Sequence, residues 1–216
     1  MRALQKFLLF HALTCLGRNA LGSEIIHGKI APQNQMLYMA SVQTRDRHLC
    51  GGSLISDNFV LTAAHCDVDD YPLVRVVLGT HDLRQTGTVR NIVQRCKHPD
   101  YRQDTKENDI MLLKLSQSVP VGRTIRRIPL PPPNMNLRTN QMCHVAGWGW
   151  TEYSYKHSVP DLRVGDSGGP LVYNGVAAGV VSFGDPFCRD PDLPNVYTDV
   201  SKFRPWINKI LSQDGC

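Results

Sequence analysis

The stretch Gly165-Asp166-Ser167-Gly168-Gly169-Pro170 places a serine hydroxyl among three glycines and an acid. Glycine allows positive φ and lets the backbone come close to a ligand. The backbone amides of Gly165 and Ser167 can therefore point at one oxygen, as the oxyanion hole of an acyl-transfer enzyme requires. We interpret the stretch as a nucleophile turn, and the alternative is a polar, glycine-rich loop without chemistry.

Two polar residues upstream complete the chemistry that such a serine needs. His65 follows the run Leu61-Thr62-Ala63-Ala64, and Asp109 precedes the apolar run Ile110-Met111-Leu112-Leu113. Taken singly, a histidine is more often structural, and an aspartate before a strand is normally a turn or cap residue. With Ser167 they supply a nucleophile, an imidazole to take its proton and a carboxylate to orient the imidazole. Sequence order alone does not show that the three residues lie together in the fold.

The elements that must position these residues are mostly strands, because short apolar or alternating runs are separated by Gly, Pro, Asn and Asp. The predicted strands are Met36 to Gln43, Gly52 to Ile55, Phe59 to Ala63, Leu73 to Leu78, Ile110 to Leu115, Met142 to Ala146, Pro170 to Tyr173 and Val176 to Phe183. One helix is predicted from the apolar spacing between Val200 and Leu211, with Ser201 as its cap. The proline-rich segment 128–133 cannot be a central strand and is a linker between two β units.

Composition fits a globular protein, with 216 residues, 42% hydrophobic and 20% charged. The formal net charge of +5 without a dense basic run suits loose association with sulfated glycans better than nucleic-acid readout, and solvated surface charge is the favoured alternative. Residues 1–22 predict a secretory signal peptide, because Arg2 and Lys6 precede the apolar core Phe7 to Leu16. No later run is long enough to span a membrane. We expect a secreted or secretory-granule protein.

The chain has seven cysteines, of which Cys15 lies in the predicted leader. The other six fit an oxidising compartment. None forms a C-x-x-C pair and no H-E-x-x-H is present, so we predict neither a metal site nor a cofactor.

The motifs IIHG, LTAAHC, NDIMLLKL, GWG and GDSGGP, followed by an amphipathic terminal helix, resemble the chymotrypsin-like serine proteases of the granzyme and mast-cell type. The likeness covers residues 25–149 and 165–211. It implies an all-β fold of two packed antiparallel six-stranded β-barrels with a C-terminal α-helix. Residues 25–130 would form the first barrel and residues 131–216 the second barrel with the helix. Protein or peptide substrates and serpin-type inhibitors are the implied partners.

The resemblance also implies a role for each catalytic residue. His65 would be the general base, Asp109 its orienter and Ser167 the nucleophile, with the amides of Gly165 and Ser167 as the oxyanion hole. Similar proteins are made as zymogens, and Ser23-Glu24 looks like an activation dipeptide. Its removal would free an Ile25 ammonium to pair with Asp166.

Substrate contacts and one disulfide are implied in the same way. Ser182, Phe183 and Gly184 match the segment that pairs with an extended substrate backbone. Asn195 matches a residue that faces the specificity pocket. Cys50 and Cys66 match a family disulfide, which contributes roughly 3 kcal/mol in the chain-entropy model.

The main departure from the family lies just before the nucleophile turn. Only the fifteen residues from Trp150 to Val164 fill an interval where the family has several strands, and fifteen residues hold two strands at most. We therefore expect the second barrel to be incomplete, and a catalytically inactive, truncated homologue is an alternative. Asp161 is either the acid of a Lys/Arg-binding pocket or part of the strand after GWG. The pairing of Cys96, Cys143, Cys188 and Cys216 stays open.

Overall fold

The computed structural model describes residues 30–138, 141–148, 162, 166–183 and 195–216. Six antiparallel strands close a barrel in the order β1-β2-β3-β6-β5-β4. They are β1 (Met39–Gln43), β2 (His48–Leu54), β3 (Phe59–Thr62), β4 (Arg75–Leu78), β5 (Thr88–Lys97) and β6 (Met111–Leu115). The prediction of an all-β fold with a closed six-stranded barrel is confirmed.

The barrel closes around one apolar core. Strands β1 and β3 are buried along their whole length, and in β6 only Lys114 is partly exposed. Phe59, Leu61 and Leu112 are among the largest fully buried side chains. The sequences of β3 and β6 are mostly apolar because both faces of these strands are buried.

A second, four-stranded sheet follows, with the order β10-β9-β8-β7 among the described residues. Its strands are β7 (His144–Val145), β8 (Pro170–Tyr173), β9 (Val176–Phe183) and β10 (Val196–Asp199). Asn174 and Gly175 both have positive φ between β8 and β9, as a tight hairpin turn requires. Strand β8 begins three residues after Ser167, so the turn that carries Ser167 leads directly into this sheet.

Helix α1 (Arg204–Ser212) ends the chain and buries Ile207 and Ile210. The predicted cap, Ser201, is wrong. A 3₁₀ turn precedes the helix, and its cap is Asp199, whose side chain accepts hydrogen bonds from the backbone N–H and hydroxyl of Ser201. Asp199 is the better cap because a carboxylate accepts both donors at once.

Two strands were not predicted. In β5 only Ile92 and Cys96 are buried, and the remaining residues are polar or exposed. In β10 all four residues are half-buried, so its sequence has no buried apolar face from which a strand could be predicted. Several predicted strand boundaries are also wrong: β4 begins at Arg75 rather than Leu73, and β7 covers His144–Val145 rather than Met142 to Ala146. Met36 has a positive φ and lies in a turn before β1, and β2 begins at His48 rather than Gly52.

In the part of the chain that the structure describes, no helix combines the length and apolar character of a membrane span.

Candidate active site

His65 and Asp109 meet because they extend from the same end of two neighbouring strands. Strands β3 and β6 pair antiparallel, with Thr62 opposite Met111. His65 lies in a 3₁₀ turn three residues after the end of β3, and Asp109 lies two residues before β6 begins. A disulfide from Cys66 to β2 closes this turn against the barrel. The predicted Cys50–Cys66 pairing is confirmed.

The carboxylate of Asp109 is fully buried and uses both of its oxygens. Oδ2 lies 2.7 Å from Nδ1 of His65, and Oδ1 accepts the backbone N–H of His65 at 2.9 Å. Ser182 donates its hydroxyl to Oδ2 at 2.5 Å. Because an ionised carboxylate can only accept, Nδ1 of His65 carries the proton, and Nε2 has the free lone pair.

The charge of Asp109 is retained despite its burial. Burial alone would raise the pKa of this carboxyl, but the hydrogen bonds and charge attraction from His65, with the hydroxyl of Ser182, hold the pKa below its ordinary value. Burial and the nearby charge of Asp109 raise the pKa of Tyr101 to about 12, so its phenol stays neutral. An ionised Asp109 can stabilise an imidazolium on His65.

The nucleophile turn rests on β2 and β3. The carbonyl of Ser167 accepts the N–H of Gly51 at 2.8 Å. Gly168 has a φ of 78°, and a Cβ there would lie 2.3 Å from Oγ1 of Thr62 and 3.1 Å from Sγ of Cys66. The turn therefore fits against the barrel only without a side chain at position 168.

Ser167 and His65, the predicted nucleophile and base, do not bond each other in the described part of the chain. Among the described residues, no hydrogen bond joins Oγ of Ser167 to His65, and Nε2 of His65 has Sγ of Cys66 at 3.9 Å. Such bonds are often long in unliganded enzymes and tighten in the substrate complex. The structure thus brings His65 and Asp109 together, and it packs the turn that carries Ser167 against Gly51 and Thr62 of the barrel.

Asp166, the residue before Ser167, contacts a histidine of β2. Its carboxylate lies 2.7 Å from Nε2 of His48, and both side chains are about as buried as the core. Nδ1 of His48 lies 2.8 Å from the hydroxyl of Ser41. The same carboxylate accepts the backbone N–H of Trp148 at 3.2 Å, and the His48 ring packs edge-on against the Trp148 indole. Nε2 of His48 forms no well-aligned hydrogen bond with a described residue. Its contact with the Asp166 carboxylate is an ion pair when His48 is protonated.

Other predicted site residues divide into two groups. Ser182 is buried and bonds Asp109, while Phe183 is exposed and Asn195 half-buried. The predicted residues Ile25, Asp161, Gly165 and Gly184 lie outside the described residues. Sequence reasoning missed the contact of Ser182 with Asp109, and it missed His48, which no motif marks.

The cysteines near the site, Cys50 and Cys66, are disulfide-bonded to each other. Donor atoms of Cys50, His65 and Cys66 lie within 4.8 Å of one another, but both sulfurs are used in the disulfide and cannot bind a metal. A second disulfide joins Cys96 to Cys216. Cys143 is also disulfide-bonded.

Comparison with known families gives two matches to the Trypsin family, over residues 25–164 and 151–207. The chain belongs to the trypsin family. Both matches include residues 151–164, the interval where a trypsin-family segment is predicted to be missing.

Trypsin-family relatives of the granzyme and mast-cell type are similar over nearly the whole chain. Granzyme B(G,H) of Mus musculus is 33% identical, covering 95% of this chain and 98% of the relative. Mast cell protease 3 of Ovis aries is 34% identical, covering 96% of each. The alignment to granzyme B(G,H) extends over 249 positions, more than the 216 residues of this chain, so the relative has residues that this trypsin-family member lacks.

Among solved structures, human heparin binding protein has the same trypsin-family fold. It superposes with a TM-score of 0.79 at 31% identity and covers 88% of this chain and 98% of its own. The trypsin fold with a closed six-stranded barrel, a second sheet and a C-terminal helix is therefore shown for this chain.

Proposed function

We propose that this chain is the precursor of a secreted, granule-type serine endopeptidase that cleaves peptide bonds through Ser167, His65 and Asp109. The observation that carries the proposal is the buried carboxylate of Asp109, which binds both the ring and the backbone N–H of His65. A carboxylate held in this way fixes the imidazole tautomer that a serine nucleophile needs.

The proposed reaction begins when His65 takes the proton of the Ser167 hydroxyl through Nε2. Ser167 Oγ attacks the peptide carbonyl, and the amides of Gly165 and Ser167 stabilise the oxyanion. His65 gives the proton to the leaving amine, which departs and leaves an acyl-enzyme on Ser167. Water then hydrolyses the ester by the same steps, and His65 again acts as base and acid.

The contact between Asp166 and His48 supports a precursor state. In the uncleaved chain the buried carboxylate has the imidazole as partner. Removal of residues 1–24 would give Asp166 a stronger partner, the Ile25 ammonium, and the carboxylate would turn away from His48. Asp166 adjoins Ser167, so this exchange of partners would set the geometry of the oxyanion hole.

The direct test of the endopeptidase is covalent labelling. After removal of residues 1–24, a fluorophosphonate probe should label the folded protein at Ser167 and should not label Ser167→Ala. Folded wild-type protein without Ser167-dependent labelling would rule out the protease and favour the inactive, truncated homologue.

A second candidate function is polyanion binding, and two observations favour it. One solved relative is named as human heparin binding protein. The segment from Ser116 to Thr151 has four arginines and no acid, and its described arginines, Arg123, Arg126, Arg127 and Arg138, are exposed. Of these four arginines, only Arg127 forms an ion pair with a described residue, Asp57, at 3.5 Å. A sulfated glycan would bind this surface through charge.

Heparin-affinity chromatography tests the second candidate. Wild-type protein should elute at higher salt than an Arg123→Gln/Arg126→Gln variant. A matched control is Arg45→Gln/Arg102→Gln, which removes two exposed arginines elsewhere on the surface. If both variants elute at the same salt concentration, retention depends only on the general charge of the protein, and a defined glycan-binding surface is excluded.

A further inference from the structure

The backbone of Asp109 is not fixed by either regular element next to it. Asn108 has a φ of 54°, in the left-handed region, and β6 begins only at Met111. The N–H of Ile110 bonds back to the carbonyl of Asn108 at 2.8 Å, which makes a tight turn centred on Asp109. The carbonyl of Asp109 therefore depends on a partner from outside the barrel strands.

That partner is Thr198 of the second sheet. Its hydroxyl donates to the carbonyl oxygen of Asp109 at 2.9 Å. Thr198 lies on β10 opposite Val180 of β9, two residues before Ser182, which holds the carboxylate of the same aspartate. Two hydroxyls on adjacent strands thus hold Asp109, one at its side chain and one at its backbone.

Strand β10 is itself fastened to the barrel by the chain that follows it. The rings of Phe203 and Trp206 pack edge-on against His98, each with centroids 5.1 Å apart. The N–H of His98 bonds the carbonyl of Ile110, next to Asp109, at 3.0 Å. The terminal segment therefore packs on the loop that leads to Asp109.

The end of the chain is tied to the same region by a covalent bond. Cys216 is disulfide-bonded to Cys96 of β5, which lies opposite Leu112 of β6. Asp214 adds an ion pair to Lys114 at 2.8 Å and accepts a hydrogen bond from Asn58 at 3.1 Å. We call residues 196–216 the C-terminal clamp, because they bind the barrel at Asp109 at one end and at Cys96 at the other.

We propose that Thr198 is a positioning residue for the Asp109–His65 pair, and that the Cys96–Cys216 disulfide holds the C-terminal clamp in place for this task. The inference rests on the proposed role of Asp109 as the orienter of His65. Thr198 touches no reacting atom and acts by fixing the peptide of Asp109, and through it the direction of the carboxylate.

The test uses variants at one position and two readouts. Thr198→Val keeps the shape of the side chain and removes the donor, and Thr198→Ser keeps the donor. Thr80→Val is the matched control, because the Thr80 hydroxyl also donates to an aspartate carbonyl, that of Asp82, but in a loop away from Asp109. Far-UV circular dichroism verifies folding of each variant.

Proton NMR of the full chain with ¹⁵N-labelled histidine detects the Nδ1 proton of His65 without any need for catalysis. We expect Thr198→Val to shift or broaden this resonance, and Thr198→Ser and Thr80→Val to retain it. In the chain without residues 1–24, Thr198→Val should lower kcat by about 10-fold to 100-fold at nearly constant KM. A wild-type resonance in folded Thr198→Val would overturn the proposal. If the His65 resonance changes as expected but no protein, wild type included, shows activity, only the protease function is refuted.

The disulfide is tested with Cys96→Ser/Cys216→Ser. If the clamp acts through Thr198, the resonance shifts in this double variant as well, and adding Thr198→Val causes little further change. An unchanged His65 resonance in the folded double variant would overturn the role of the clamp.

Discussion

Nε2 of His48 lies 2.7 Å from a carboxylate oxygen of Asp166, and the two side chains are only 4% and 5% exposed. The pair connects β2 of the barrel to the residue before the proposed nucleophile. A carboxylate without a partner at this depth would be costly. The uncleaved chain therefore supplies His48 as the partner that we propose Ile25 to replace.

Replacement of His48 by alanine should destabilise the uncleaved chain by about 1–3 kcal/mol, since it removes one partner of the buried Asp166 carboxylate and leaves the Trp148 N–H. The cost should be smaller after removal of residues 1–24, because the Ile25 ammonium would then pair with Asp166. Urea unfolding of both forms measures the two costs. His81→Ala, which removes an imidazole bonded to a backbone carbonyl, should cost the same in both forms. Equal costs for His48→Ala would contradict the exchange of partners.

The lowered pKa of Asp109 predicts how stability depends on pH. Between the folded and unfolded pKa values the unfolded chain binds more protons, so stability rises with pH. The contribution is fully present above the ordinary aspartate pKa of 3.8 and is lost as the pH falls through the lower folded value.

Urea midpoints of wild type and Asp109→Asn between pH 2 and pH 6 measure this contribution. The difference between the two proteins should shrink as the pH falls below about 4. Asp104→Asn, at an exposed position, should follow the wild-type curve. A difference that stays constant over the whole range would show that the carboxylate of Asp109 gains nothing from its partners on folding.

The sequence predicted those strands that a local run of apolar residues marks. The apolar run after Asp109 marked β6, and the apolar run before His65 marked β3, but only the family resemblance implied that the two residues meet. Strand β5 could not be predicted because it buries only Ile92 and Cys96. The contact of His48 with Asp166 joins residues far apart in the sequence, and no local pattern specifies it.

The barrel core predicts a large difference between two apolar positions on neighbouring strands. Leu112 on β6 is fully buried, whereas Val93 on β5 is 54% exposed. Leu112→Ala should cost about 2–5 kcal/mol, because it removes apolar contacts and leaves a cavity. Val93→Ala should cost less than about 1 kcal/mol. Chemical denaturation of the full chain measures both, and similar costs would contradict the placement of β5.

The nucleophile turn offers a test in which backbone strain and steric contact can be separated. Gly168 and Gly175 have nearly the same φ, 78° and 77°. A Cβ at Gly168 would lie 2.3 Å from Oγ1 of Thr62, whereas a Cβ at Gly175 would meet nothing within 4 Å. Alanine at either position should cost about 1–2 kcal/mol for the left-handed backbone.

Alanine at Gly168 should cost about 1–3 kcal/mol more than alanine at Gly175, because the turn must move away from Thr62. That movement displaces Ser167, so fluorophosphonate labelling after removal of residues 1–24 should slow by about 10²-fold. Gly175→Ala should label at the wild-type rate, since a Cβ at Gly175 meets no atom within 4 Å. Equal labelling rates in the two folded variants would mean that the contact with Thr62 does not hold the nucleophile in place.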